Sequence, residues 1–113
     1  GYEIYAVFSN SGGLKPGSSI TIAGVKVGRV KNVILDDYQA KIVMNLPTGV
    51  KIQEDAIASI KTKGLIGEKY IEISPGGLEE NLKPGGRIRD TQSPVDLEQL
   101  ISKYVFGVID PYK

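Results

Sequence analysis

Apolar and polar positions alternate strictly at the start of the chain. Tyr2, Ile4, Ala6 and Phe8 fall on one side and Glu3, Tyr5 and Val7 on the other, the period of two of a half-buried strand. A small-polar loop, Ser9–Gly13, follows, and a short strand at Ile20–Ile22 is broken by Gly24. In Val25–Leu35 the alternation slips. Val25 and Val27 share a face, the same count continues into Arg29 and Lys31, and the apolar phase moves to Val30 and Ile34. A one-residue slip beside Gly28 predicts a β-bulge or a sharp barrel bend. Gln39–Leu46 alternates again, with Ala40, Ile42, Met44 and Leu46 against Lys41, Val43 and Asn45, and the Asp36–Asp37 pair is expected to turn the hairpin. Strands are predicted at Ala56–Thr62, Lys69–Ser74 and Arg87–Arg89, with a Gly/Pro turn at Pro75–Gly77.

Two turns are near copies. Leu14-Lys15-Pro16-Gly17-x-x-Ile20 recurs as Leu82-Lys83-Pro84-Gly85-x-x-Ile88. Proline presets φ at one turn position and glycine allows φ > 0 at the next, so each copy launches a strand at a defined angle. The flanks share no period, which makes this reused turn chemistry rather than a repeat. Six or seven short strands with Gly-rich turns point to an all-β fold, a small closed or nearly closed barrel over residues 1–92.

Residues 93–109 read differently. Ser93 suits an N-cap, Pro94 the first helical position, and Asp96 completes an S-x-x-D box. Leu97, Leu100, Ile101, Tyr104 and Val108 recur at helical spacing, and Gly107 is a stop signal. The pattern predicts a short amphipathic helix that lays this face on its own barrel or on a neighbour.

Composition narrows the function classes. The 113 residues make one domain, and 14 basic against 13 acidic side chains leave a net charge of +1. That balance gives no whole-molecule steering toward nucleic acid or anionic membrane. A hydrophobic fraction of 41% fits a globular chain. No run approaches the ~18 apolar residues that span a bilayer. No signal-peptide pattern is visible, and the abrupt entry into a strand suggests a piece of a longer protein. Cysteine and histidine are both absent. Common zinc sites, thiolate nucleophiles, Ser-His and Cys-His pairs and the usual general base near neutrality go with them.

The remaining catalytic patterns fail in turn. Asp36–Asp37, Glu54–Asp55 and Glu79–Glu80 are neighbours in turns, where adjacent carboxylates diverge instead of converging on a substrate. Gly12–Ser18 lacks the lysine a phosphate loop needs after its last glycine. Lys26, Arg29 and Lys31 form a basic cluster that a small OB-like barrel could turn to single strands, but at this net charge a solvated strand face accounts for it. The expectation is no enzyme, no metal, no cofactor and no nucleic acid.

One segment resists a bland account. Lys63-Gly64-Leu65-Ile66-Gly67-Glu68 joins two strands where a turn should be polar. Its two large aliphatics either tuck into the barrel mouth or form an exposed patch that meets a partner or a lipid.

Four blocks resemble a known family: Gly13-Leu14, Ile22-Ala23-Gly24-Val25-Lys26-Val27-Gly28-Arg29-Val30, Gly64-Leu65-Ile66-Gly67-Glu68-Lys69-Tyr70-Ile71 and Thr91-Gln92-Ser93. Together they are similar to the MCE (mammalian cell entry) domain, and more narrowly to the periplasmic MCE subunit of the Mla phospholipid transporter, from about Tyr2 to Gly107. The resemblance implies a seven-stranded β-barrel, a homohexameric ring and an apolar loop lining a central pore. Carried over by position, that loop is Gly64, Leu65, Ile66 and Gly67, with Leu65 and Ile66 facing the pore. The helical segment, with Leu97, Leu100, Ile101 and Tyr104, would supply contacts between subunits. The implied partners are phospholipid, further copies of the chain, and an inner-membrane permease with its ATPase. The implied location is the periplasmic domain of a protein anchored in the inner membrane by a helix this chain lacks. The headgroup has no evident site; Lys61, Lys63 and Lys69 near the loop are candidates, with plain solvation of these side chains the favoured alternative. A second function class stays open, a protein-interaction barrel that docks a partner through the same loop.

Overall fold

Eight strands form one sheet in a computed structural model that describes residues 1–64 and 67–94. They are β1 (Tyr2–Phe8), β2 (Ser19–Ile22), β3 (Val25–Asp36), β4 (Gln39–Leu46), β5 (Ile57–Thr62), β6 (Lys69–Ser74), β7 (Arg87–Ile88) and β8 (Asp90–Gln92). Their order across the sheet is β7-β1-β4-β3-β2-β6-β5-β8. The two outermost strands are consecutive in sequence, separated by Arg89 alone. One extended run therefore pairs in parallel with β1 through its first half and with β5 through its second. This partner switch closes the sheet into a nearly closed barrel, and it makes eight strands of the expected seven. With its first and last strands joined, the sheet leaves no long free edge.

The alternation of the sequence becomes the two sides of the wall. Ile4, Ala6 and Phe8 of β1 and Ile42, Met44 and Leu46 of β4 are buried, joined by Ile20, Val30, Ala58, Ile60, Ile71, Ile73 and Ile88 in one continuous core. The bulge expected beside Gly28 is present: Ile20 pairs with Gly28 and Thr21 with Lys26, leaving Val27 as the extra residue. A Cβ at Gly28 would run into the Asn45 carbonyl oxygen and approach Leu46 Cδ2 to 2.7 Å, so β3 and β4 can close up here only around a glycine.

A second bulge, which the periodicity does not reveal, sits at Lys31, between the pairs Val30–Met44 and Asn32–Val43. It corrects the expected phase of β3. Val33, not Ile34, packs against the core, and Ile34 is 44% exposed. The hairpin that follows is also shifted from expectation. Asp36 is still paired with Gln39, and the two-residue turn is Asp37–Tyr38, with φ of 51° and 62°. Two positive φ values are what a type I′ turn requires of a tight hairpin.

The repeated Leu-Lys-Pro-Gly turns behave as copies. Ser18 N–H donates to the Lys15 carbonyl at 3.0 Å, and Gly86 N–H to the Lys83 carbonyl at 2.8 Å. In each, the glycine has positive φ (92° at Gly17, 82° at Gly85), the pattern of a type II turn. Each glycine N–H then donates to the strand beside it, Gly17 to Val30 and Gly85 to Glu3. Each turn launches a strand into parallel pairing: β2 beside β6, and β7 beside β1.

At the far end of the barrel the connections 47–56 and 75–86 lie on one another. Leu82 N–H donates to the Ile52 carbonyl at 2.7 Å and Glu54 N–H to the Glu80 carbonyl at 2.9 Å, over a fully buried Ile52. Asp55 ties the second connection down, accepting the N–H of Gly77 at 2.8 Å and of Leu78 at 3.2 Å. These bonds, that from Gly77 foremost, hold its carboxyl below the ordinary carboxylate range. Asp55 is thus a loop anchor rather than the solvated turn residue its sequence context suggests.

Candidate functional site

Pairing direction decides what meets at the end opposite those connections. Parallel strands start at the same end of a sheet, so the segments that enter β2 and β6 lie side by side. These are the first Leu-Lys-Pro-Gly turn and the loop that joins β5 to β6. The last β5–β6 pair is Thr62 with Lys69, and one further bond, from Lys63 N–H to the Glu68 carbonyl at 3.1 Å, closes the base of the loop.

The two glycines have distinct duties there. Gly64 turns the chain with φ of 71°, a conformation that costs a β-substituted residue 1 kcal/mol or more, roughly. Gly67 passes so close to the Lys63 carbonyl that a Cβ would overlap its oxygen. Glycine thus closes a narrow base on either side of the Leu65-Ile66 pair in the sequence. Leu65 and Ile66, the expected pore-facing pair, lie outside the described residues, as do Leu97, Leu100, Ile101 and Tyr104 of the expected helix. Gly64 and Gly67 lie between β5 and β6 at one end of the barrel.

Beneath this loop lies an open cleft of about 410 Å³, lined from one side by Gly12, Gly13 and Lys15–Ser19 and from the other by Lys63 and Gly67–Tyr70. Lys15, Lys63 and Lys69 all line it. Lys69 is half-buried, donates to the Thr62 hydroxyl and runs its stem past Gly12. Of the expected headgroup candidates, Lys63 and Lys69 are brought together. Lys61 does not line the cleft, and Lys15, which sequence proximity could not supply, takes its place.

The chain ahead of the expected helix reaches the same end. Ser93 Oγ lies 2.7 Å from Ser9 Oγ and accepts the Ser9 N–H at 3.2 Å, and a Cβ on Gly12 would collide with the Pro94 ring.

The family model described as MlaD protein matches residues 1–76, which hold both the bulged β3 and the glycine-pinned loop. The chain belongs to the MlaD family. It is 37% identical over 114 aligned positions to the intermembrane phospholipid transport system binding protein MlaD of Escherichia coli K12, covering 94% of this chain and 62% of that protein. To the protein of the same description from Haemophilus influenzae it is 39% identical, covering 94% of this chain and 67% of the relative. The chain thus spans a little under two-thirds of the E. coli MlaD sequence. Its fold superposes on a chain of the Acinetobacter MlaFEDB complex in an ATP-bound conformation with a TM-score of 0.83 at 30% identity, over 91% of this chain and 80% of that one. The MlaD barrel expected from the sequence blocks is the barrel found.

Proposed function

We propose that this chain is a lipid-binding, tunnel-forming subunit of an MCE-type phospholipid transport system, working as a homohexameric ring with an apolar central pore. It is the periplasmic domain of a protein anchored in the inner membrane, its partners are the permease and ATPase of the transporter, and it performs no chemistry of its own. The observation that carries the reading is the loop base. Glycines at positions 64 and 67 hold a tight exit from the barrel, and the two residues between them in the sequence are large aliphatics. The E. coli and Haemophilus relatives, intermembrane phospholipid transport system binding proteins, support it.

The physics suits a conduit. Each acyl CH₂ exposed to water costs ~0.8 kcal/mol, so a lipid in transit needs continuous apolar cover. Two aliphatic side chains from each of six loops would surround one axis with about a dozen, an apolar collar that fixes nothing by a directional bond and lets tails slide. Replacing Leu65→Asn together with Ile66→Asn in the full-length protein tests this. The ring, counted by native mass spectrometry, is retained and lipid transport is lost. Unimpaired transport overturns the reading. Purified protein that holds no phospholipid but captures a protein partner through the loop favours the interaction module instead.

A further inference from the structure

We propose that the cleft at the root of the loop is a binding site for the phosphodiester of an anionic lipid headgroup. The proposal rests on the transport reading and adds to it a polar site beside the apolar one.

Topology, not sequence adjacency, builds the site. The parallel pairing of β2 with β6 sets the Lys15 turn against Lys63 and Lys69 across about 410 Å³, a volume in the range of small-ligand sites. The lining holds three ammonium groups and a single carboxylate, Glu68, in a chain whose net charge is only +1. None of the three lysines forms an ion pair among the described residues, where the one salt bridge joins Lys31 to Glu3 on exposed surface. Lys69 in particular is half-buried, with a neutral hydroxyl as its hydrogen-bond partner. A partly desolvated cation without an acid is a ready partner for a charged oxygen acceptor.

Distance along the chain supplies the rest. Lys63 and Gly67 flank the Leu65-Ile66 pair, each within three residues of both aliphatics. An amphiphile whose acyl chains meet the Leu65-Ile66 pair would have its phosphate near the adjoining Lys63 and Gly67. The apolar pair would take any acyl chain, whereas the cleft would discriminate by headgroup charge.

The assembled full-length protein is titrated with dihexanoyl-phosphatidylglycerol, with dihexanoylglycerol, which lacks the phosphate, and with inorganic phosphate. Lys15→Gln, Lys63→Gln and Lys69→Gln combined should weaken phosphatidylglycerol binding about tenfold and leave dihexanoylglycerol unchanged. Glu68→Gln should strengthen phosphatidylglycerol binding about twofold, a gain that a merely disturbed fold cannot produce. Equal affinity of the wild type for the two lipids, or an undiminished phosphatidylglycerol affinity in the triple variant, overturns the proposal. Inorganic phosphate binding as tightly as phosphatidylglycerol reassigns the cleft to the free ion and overturns the lipid source. Failure of the transport reading looks different: Leu65→Asn with Ile66→Asn then leaves dihexanoylglycerol binding intact.

Discussion

The Thr91 hydroxyl donates to the Val7 carbonyl at 2.9 Å and joins β8 to β1 across the line where the barrel closes. The backbone ladder on that line ends at the Ala6–Ile88 pair, because Arg89 hands the strand over to β5. On the β5 side, the buried Ser59 hydroxyl donates to Gln92 Oε1 at 3.0 Å. Short polar side chains thus continue the closure where main-chain pairing to β1 has stopped.

Thr91→Val keeps the shape and removes this donor, leaving a half-buried carbonyl without its partner. The expected loss is about 1 kcal/mol of unfolding free energy, measured by denaturant titration. Amide exchange should accelerate in β1 and β8 before the β3–β4 ladder, and uniform acceleration would argue against a local seam.

Gly67→Ala tests the loop from its base rather than from its aliphatic pair. The added methyl group meets the Lys63 carbonyl and forces the loop to reshape. Because the loop is outside the core, barrel stability should fall by no more than ~1 kcal/mol. Transport should nevertheless drop, as expected for the Leu65→Asn and Ile66→Asn pair. A variant with normal transport would mean that loop geometry is irrelevant to the activity.

Asp55 predicts a pH dependence at the far end. Its carboxyl is held below the ordinary range when folded, so its contribution is fully present at neutral pH and is lost as pH falls through that lowered value. Asp55→Asn should therefore melt below the wild type at pH 7, and the gap should close as acid titrates the carboxyl through its lowered range. A gap that is constant with pH would assign the effect to packing. Gly76 has a linked role, since a Cβ there would overlap the Asp55 carboxylate.

The Asp37–Tyr38 turn carries a cost that substitution can remove. Tyr38 has φ of 62° and is 92% exposed, so it adopts the left-handed conformation without packing in return. Asp37→Asn with Tyr38→Gly should raise the unfolding free energy by about 0.5–1 kcal/mol in denaturant titration.

Much of this barrel was legible in the sequence because a wall with one buried face writes its register as alternation. The bounds of β1, β4 and β6, the Gly28 bulge and the twin turns all follow from residue pattern. What escaped has a common cause. The Lys31 bulge carries no glycine and sits among polar residues, so nothing local marks it. The partner switch at Arg89 and the arrival of Lys15 beside Lys69 depend on which strands pair, and periodicity is silent on pairing. Gly64 and Gly67 were readable as glycines flanking an out-of-place apolar pair, but the collision at Lys63 that makes Gly67 necessary appears only in three dimensions.

The run that shuts the barrel comes from the end of the described chain, 84 positions from its partner on β1. During synthesis, residues 2–74 can assemble a curved sheet whose two flanks, β1 and β5, remain bare until residues 87–92 leave the ribosome. Such flanks invite strands from other molecules. A polypeptide ended at residue 76, where the family match stops, would keep both flanks open and should aggregate rather than fold.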